Sequence, residues 1–252
     1  MSHETYLINL KQSTDRLMTM QGFLSQFGVD YERVEAVDAK VLPDEIYATV
    51  TAPNIEYPHQ LRPGEIACFL SHRKCWQKLI ESDKDWGLIL EDHCHFSPLA
   101  GRYLTSTEWI PAGCEIIQIH LSDKAFYSSQ RIDLEDGNAL LNVVSSPARR
   151  SSAYFISRYA AQIALEESKE IACPLDNFIF GCTSTFSQKV MGWRLLGAIA
   201  RRDEKAQTTI HGRGSKNKGR NKARVHPKRI LTKLKMKLNR IFLKKSYQLW
   251  LE

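Results

Sequence analysis

Trp86-Gly87-Leu88-Ile89-Leu90-Glu91-Asp92-His93 is an apolar run that ends in two carboxylates and an imidazole. All three terminal side chains can ligate a metal. A short apolar run bounded by glycine reads as a buried strand, and open α/β sheets bind ligands beyond the carboxyl ends of their strands. A divalent cation held there would stabilise concentrated negative charge, such as that of a departing phosphoanhydride. Oxygen ligands suit Mg²⁺ and Mn²⁺, and an imidazole shifts the balance toward a transition metal. Neighbouring strand residues face opposite ways, so Glu91 and His93 can share one side; Asp92 joins them only if the strand has already ended. A plain surface turn is the alternative that the tripeptide leaves open. His95 falls outside the ligand set, and a His93-Cys94-His95 zinc centre lacks well-spaced partners.

The elements that must position this corner are legible from periodicity. Tyr6 to Leu10 reads as an opening strand. Thr14 is expected to cap a helix with Leu17, Met20, Leu24 and Phe27 on one face, stopped by Gly28. Tyr31 to Val37 reads as a second strand, so the order suggests a parallel crossover unit. Residues 40–63, with four prolines, are expected to be irregular. Gly64 to Ser82 reads as a helix with a wide apolar face (Ile66, Phe69, Leu70, Trp76, Leu79, Ile80). Ile116–Ile119 and Ser152–Ile156 read as strands, Arg158–Ser168 as a helix, and Cys173-Pro174-Leu175-Asp176 as the opening of a further segment, with Asp176 near its start.

The 252 residues suit one large domain or one domain with an appendage, and 43% hydrophobic content supplies a core. No apolar run approaches the roughly 20 residues of a membrane span, and the start Met1-Ser2-His3-Glu4 lacks signal-peptide character. A cytoplasmic body is expected. The six cysteines form no CxxC pair, which favours reduced, mostly buried thiols. The net charge of +7 hides an asymmetry: 15 of the 35 basic residues but only one of the 28 acidic ones lie from Lys205 onward. The body is thus at −7 and the tail at +14. Residues 211–224 read as a flexible basic linker, and Ile230 to Phe242 as an amphipathic basic helix.

The blocks Gly64-Glu65-Ile66-Ala67-Cys68-Phe69-Leu70-Ser71-His72 and Trp86 to His93 resemble the signature of family 25 glycosyltransferases, which include lipooligosaccharide galactosyltransferases and collagen-modifying relatives. Leu7-Ile8-Asn9-Leu10 with Asp15-Arg16, Ala36-Val37-Asp38-Ala39, Ser152 to Ser157 and Pro174-Leu175-Asp176 resemble further blocks, and the basic tail is typical. The resemblance runs over most of residues 5–210. It implies an α/β, GT-A-like fold: a Rossmann-like nucleotide-binding sandwich merged with an acceptor-binding half. It also implies a UDP-sugar donor, usually UDP-galactose, and Mn²⁺ or Mg²⁺. The family usually reads Glu-Asp-Asp where this chain has Glu91-Asp92-His93. Asp-x-His serves as the metal motif in the polypeptide GalNAc-transferases, which resemble this arrangement in fold, and a softer ligand would move the preference away from Mg²⁺.

On that resemblance, Asn9 and Arg16 are expected at the donor pocket, with Arg16 reaching the diphosphate through charge-assisted hydrogen bonds. Ala36 and Asp38 are expected beside uridine, where Asp38 can accept a ribose hydroxyl. Glu65, Ser71 and His72 belong to the family block and are assigned to donor binding. No GxSxG accompanies Ser71, which argues against a hydrolase triad. Asp176 is the candidate general base for an inverting transfer, with helix capping as its competing role. His211 is a further candidate ligand.

The expected organisation is a catalytic domain over 1–210 and a basic, membrane-associating tail over 211–252, with Trp250 at the interface. Such a tail suits an anionic leaflet and a lipid-linked oligosaccharide acceptor on the inner face of a bacterial inner membrane. Nucleic acid is the competing polyanion. The alternative from another class is a catalytically inactive nucleotide-sugar or nucleic-acid-binding module.

Overall fold

The computed structural model describes residues 2–51, 60–122, 124–144, 146, 150–203 and 244–251. Strand β1 (His3–Asn9), helix α1 (Thr14–Gln26) and strand β2 (Glu32–Glu35) form the expected crossover, with Tyr6 paired to Glu32 and Asn9 to Glu35 in parallel register. Ser13, one residue before the expected Thr14, occupies the cap position of α1. Gly28 takes the left-handed conformation that stops α1 (φ 67°), and Val29 N–H donates back to Leu24 O at 2.9 Å.

A short helix α2 (Asp44–Val50) lies within the stretch expected to be irregular. It buries none of its residues fully, so it has no continuous apolar stripe to betray it. Prolines 53 and 58 lie outside the described residues. Helix α3 (Pro63–Glu81) starts with proline at its first position, where the missing N–H costs nothing. It buries Ile66, Phe69, Trp76 and Leu79.

The chain continues through β3 (Trp86–Glu91), β4 (Cys94–Phe96), α4 (Gly101–Leu104), β5 (Ile116–Gln118), β6 (Phe126–Ser128), β7 (Arg131–Asp133), β8 (Ala139–Asn142) and β9 (Ala153–Ser157). Then follow α5 (Arg158–Glu167), α6 (Leu175–Phe180), α7 (Thr185–Lys189), β10 (Gly192–Leu195), β11 (Gly197–Ala198) and β12 (Ala200–Arg202). Eight strands make one mixed sheet in the order β2-β1-β3-β9-β5-β10-β8-β7. Strands β1, β2, β3, β5 and β10 run the same way, and β9 lies antiparallel between β3 and β5. The α/β class expected from the sequence is therefore what forms, around one large mixed sheet.

Strand alternation divides the core into two layers. Tyr6, Ile8, Ile89, Tyr154 and Ile156 pack with α3, α5 and α6 on one face. Leu7, Leu88, Leu90, Ala153 and Phe155 pack with α1, β4 and α4 on the other. Gly87 lets α3 approach β3 closely: a Cβ there would meet Leu79 Cδ2 at 3.1 Å. Truncating a fully buried residue of either layer, such as Ile89, to alanine costs ~2–5 kcal/mol.

The last described residues return to this body. Strand β13 (Lys244–Ser246) pairs antiparallel with β6, and β14 (Leu249–Trp250) pairs parallel with β11. The buried side chain of Gln248 accepts from Ser122 N–H at 2.8 Å and donates to Leu195 O at 3.0 Å. Residues 244–251, which the expected split at 210/211 gave to a separate tail, are thus strands and buried contacts of the body. Trp250, expected at a membrane interface, has the Arg201 guanidinium over its ring, 4.6 Å from the ring centre. The expected linker over 211–224, the amphipathic helix over 230–242 and His211 lie outside the described residues. No helix among the described residues is long and apolar enough to cross a membrane. All six cysteines are free, three buried and three half-buried.

Candidate active site

The carboxyl ends of β1, β2, β3 and β5 meet the amino end of β9 at one edge of the sheet. Alternation decides where each corner residue points. Ile89 and Glu91 face the α3 side, and Leu90 and Asp92 the α1 side. Glu91 accordingly meets α3, with Oε1 3.4 Å from His72 Nε2. Asp92 meets the first crossover. Asn9 Nδ2 donates to its Oδ2 at 2.8 Å, and Arg16 NH1 reaches its Oδ1 at 3.2 Å. Asn9 is itself fixed by Arg33, whose NH2 donates to Asn9 Oδ1 at 2.8 Å. Arg16, expected on a diphosphate, contacts Asp92.

His93 turns back toward Glu91 because the strand has ended. Its Nδ1 is 3.5 Å from Glu91 Oε2 and 4.0 Å from Asp92 Oδ1, and its Nε2 is 3.1 Å from Ser152 Oγ. The structure thus brings Glu91 and His93 together, with one oxygen of Asp92 at the margin. Burial of Glu91 opposes its charge, but the His72 contact and the nearby His93 and His120 rings outweigh it and hold the carboxyl down at about 2. This carboxylate is charged throughout the physiological range. A charged carboxylate and a neighbouring imidazole nitrogen form a donor set that fits Mn²⁺ better than Mg²⁺.

Two cavities adjoin this corner. The smaller, about 100 Å³, runs from Ile8, Leu10, Ala36 and Val37 to Asp38, Ser71 and the corner itself. Its shape is set by side chains of the family block acting structurally. Ser71 Oγ accepts Val37 N–H at 2.9 Å and donates to Ala67 O at 2.7 Å, so it fastens the turn after β2 to α3. Asp38 accepts from Lys40 N–H and Gln12 Nε2, both at 2.9 Å. Ala36 and Asp38 do line this cavity. His72 is buried, with Nδ1 2.9 Å from the Tyr154 hydroxyl and its ring stacked on Tyr154.

The larger cavity, about 240 Å³, is polar. Arg62, Arg150 and Arg202 line it together with Glu65, Cys68, His120, Ser152 and Asp176. Glu65 Oε2 accepts Arg62 N–H at 2.8 Å and so ties down the start of α3 from its first turn. Asp176 lies in the first turn of α6, but Pro174 holds the cap position and no side-chain capping bond forms there. Its Oδ1 accepts from Asn177 Nδ2 at 3.1 Å. The capping role open in the sequence is therefore not the one Asp176 has.

His120 was missed. It is 2% exposed, and its Nδ1 lies 2.8 Å from Leu121 O. A carbonyl only accepts, so Nδ1 carries the proton. Burial lowers the ring to about 4, so it is neutral at pH 7. Its Nε2, which has no hydrogen-bond partner among the described residues, is a bare acceptor in the wall of the cavity. The signal was available: Ile116-Ile117-Gln118-Ile119-His120 is a second apolar run ending in a polar side chain.

Two cavities thus meet at the carboxyl edge of an α/β sheet, the place where sheets of this class bind their ligands. The chain belongs to glycosyltransferase family 25: the sequence profile described as "Glycosyltransferase family 25 (LPS biosynthesis protein)" matches residues 2–179. A "Glycosyltransferase 25 family member" of Aedes aegypti is 28% identical over 185 residues, which cover 69% of this chain and 30% of that protein. The human "Procollagen galactosyltransferase 2" is 36% identical over 102 residues, 37% of this chain and 16% of that one. The chain thus spans less than a third of the length of these curated relatives. Among solved structures, A197 from STIV superposes with a TM-score of 0.43 at 14% identity, over 84% of this chain and all of that one. A glycosyltransferase "involved in the glycosylation of the major capsid of PBCV-1" gives 0.35 at 9% identity, over 65% and 63%. Neither likeness is close enough to bear on activity.

Proposed function

We propose that this protein is a metal-dependent, inverting glycosyltransferase that moves a hexose, galactose foremost, from a UDP-sugar to a lipooligosaccharide or lipopolysaccharide acceptor. The observation that carries this reading is the meeting of two unlike cavities at the Glu91–His93 corner. The smaller, partly apolar chamber fits a nucleoside, with Asp38 beside a ribose hydroxyl. The larger chamber, with three arginines in its walls, fits a diphosphate and the sugars beyond it.

Glu91 and His93 would hold Mn²⁺, with Asp92 alongside, and the bound ion would supply neutralisation of the charge that develops on UDP. Asn9 and Arg16 orient Asp92 from behind. Ser71 and Glu65 shape the chamber walls, and His72 supports Glu91. Asp176 takes the proton from the acceptor hydroxyl as that oxygen attacks the anomeric carbon. His120 Nε2 accepts a hydrogen bond from a sugar hydroxyl. The basic segment after Lys205 draws the enzyme to an anionic leaflet on the cytoplasmic side, where lipid-linked acceptors lie.

A donor screen by released UDP, with Mn²⁺ and truncated lipooligosaccharide acceptors, tests the reading. Release from UDP-galactose, faster with Mn²⁺ than with Mg²⁺, is expected. Faster turnover with Mg²⁺ would refute the role given to His93. No turnover of any UDP-sugar, with a shift of nucleic acid on a gel, would replace the enzyme by a binding module. Vesicles rich in anionic lipid should float the wild type, and should not float a variant with the 13 Lys and Arg of 205–240 changed to Gln.

A further inference from the structure

Cys68 and His72 are one helical turn and a fraction apart on α3, the i, i+4 spacing that puts two side chains on one helix face. That face meets the end of β3, where Glu91 lies. One ligand atom from each of Cys68, His72 and Glu91 falls within 4.8 Å of the other two. His72 Nε2 is buried, makes no hydrogen bond among the described residues, and lies 3.4 Å from Glu91 Oε1. Ligands about 2.0–2.1 Å from a tetrahedral Zn²⁺ stand roughly 3.4 Å apart, so that gap is the span of two ligands sharing one ion.

The surroundings complete the pattern. His72 Nδ1 contacts the Tyr154 hydroxyl at 2.9 Å, and Trp76 Nε1 donates to the same hydroxyl at 3.0 Å. A ligating histidine held through its other nitrogen is the usual outer-shell arrangement, because it fixes both ring orientation and tautomer. Cys68 and Glu91 border both cavities, so a fourth position opens on the cleft.

We propose that Cys68, His72 and Glu91 form a zinc site, distinct in two of its three ligands from the Glu91–His93 cation corner. Thiolate, imidazole and carboxylate select Zn²⁺ over Mg²⁺ and Mn²⁺. On binding, the Cys68 thiol proton passes to water, and the fourth position takes a water or a ligand oxygen. Glu91 cannot serve both ions in full, so zinc at this site opposes a cation at Glu91 and His93.

Cobalt is the probe, because a thiolate–Co²⁺ bond gives a near-ultraviolet charge-transfer band that oxygen and nitrogen ligands do not. The full-length protein should bind one Co²⁺ with that band, and Zn²⁺ should abolish it. Cys68→Ala and His72→Gln should each lose it while keeping the far-ultraviolet circular dichroism of the wild type. In the wild type, Zn²⁺ should slow iodoacetamide alkylation of Cys68, read by peptide mass, about tenfold or more, leaving Cys173 and Cys182 unchanged. Co²⁺ without a charge-transfer band, a band that persists in Cys68→Ala, or unprotected Cys68 would each overturn the site. None of these readouts needs sugar transfer, so they stand apart from the donor screen.

Discussion

Asn9 holds Asp92 on the side of the sheet opposite Glu91: its Nδ2 donates to Asp92 Oδ2 at 2.8 Å across the ends of β1 and β3. Two adjacent carboxylates, Glu91 and Asp92, are thereby kept apart, one facing α3 and the other the first crossover. Like charges at the tip of one strand would otherwise repel each other and compete for the same space.

The bond has a measurable consequence. Asn9→Ala takes from Asp92 its shortest side-chain hydrogen bond and strips Arg33 of a partner, so urea unfolding should report a loss of ~1–3 kcal/mol. Asn9→Asp replaces the donor by a third carboxylate and should cost more than Asn9→Ala. The reverse order would show that Asn9 does not act as the donor to Asp92.

Asp176 lines the larger cavity, where the proposed transfer puts the acceptor. Asp176→Asn is nearly isosteric and makes no change at the Pro174 cap, so the melting temperature should hold. Transfer should fall ~10²–10⁴-fold, with UDP-sugar binding by calorimetry unchanged. Near-normal turnover would remove Asp176 from the mechanism.

His120 sets a pH dependence. Its folded value of about 4 lies below the ordinary 6.5, so the unfolded chain binds the proton first as pH falls. Stability should therefore decline between pH 6.5 and 4 and level off below that, by ~3 kcal/mol from this group. His120→Asn should flatten that part of the curve, measured by denaturant midpoints across the range. An unchanged slope would show that the ring is not buried neutral.

Gln248 fastens the end of the described chain to the body. Gln248→Ala leaves Ser122 N–H and Leu195 O buried without their partner, at ~1–3 kcal/mol each. A clear drop in the thermal midpoint is expected. No drop would mean that these residues dock without contributing to stability.

Much of the first half was legible because its elements are long and periodic. The β1-α1-β2 crossover, α3 and β3 follow from apolar spacing, and the corner follows from an abrupt change to charge after Leu90. Strands β6 to β8 and β10 to β12 did not show, since segments of two to four residues carry almost no periodicity and are defined by distant partners. The placement of β9 between β3 and β5 has no local signal either. Within the site, residue types were easier to read than roles. Glu65 and Ser71 were read as donor-binding, yet the Arg62-Pro63-Gly64-Glu65 pattern is also that of a helix start, and Ser71 spends its hydroxyl on Val37 and Ala67. The Cys68–His72 spacing was visible, but its third member, Glu91, joins only through tertiary packing.

Asp203 N–H donates to the carbonyl of His93 at 2.8 Å, and Lys244 opens the strand that pairs with β6. The intervening 40 residues hold 13 Lys and Arg against one acid, Glu204. Both described residues that flank this stretch are fixed on the body, and one of them, Asp203, is pinned to the backbone of the Glu91–His93 corner, so the two ends of the basic stretch share the body with the cleft.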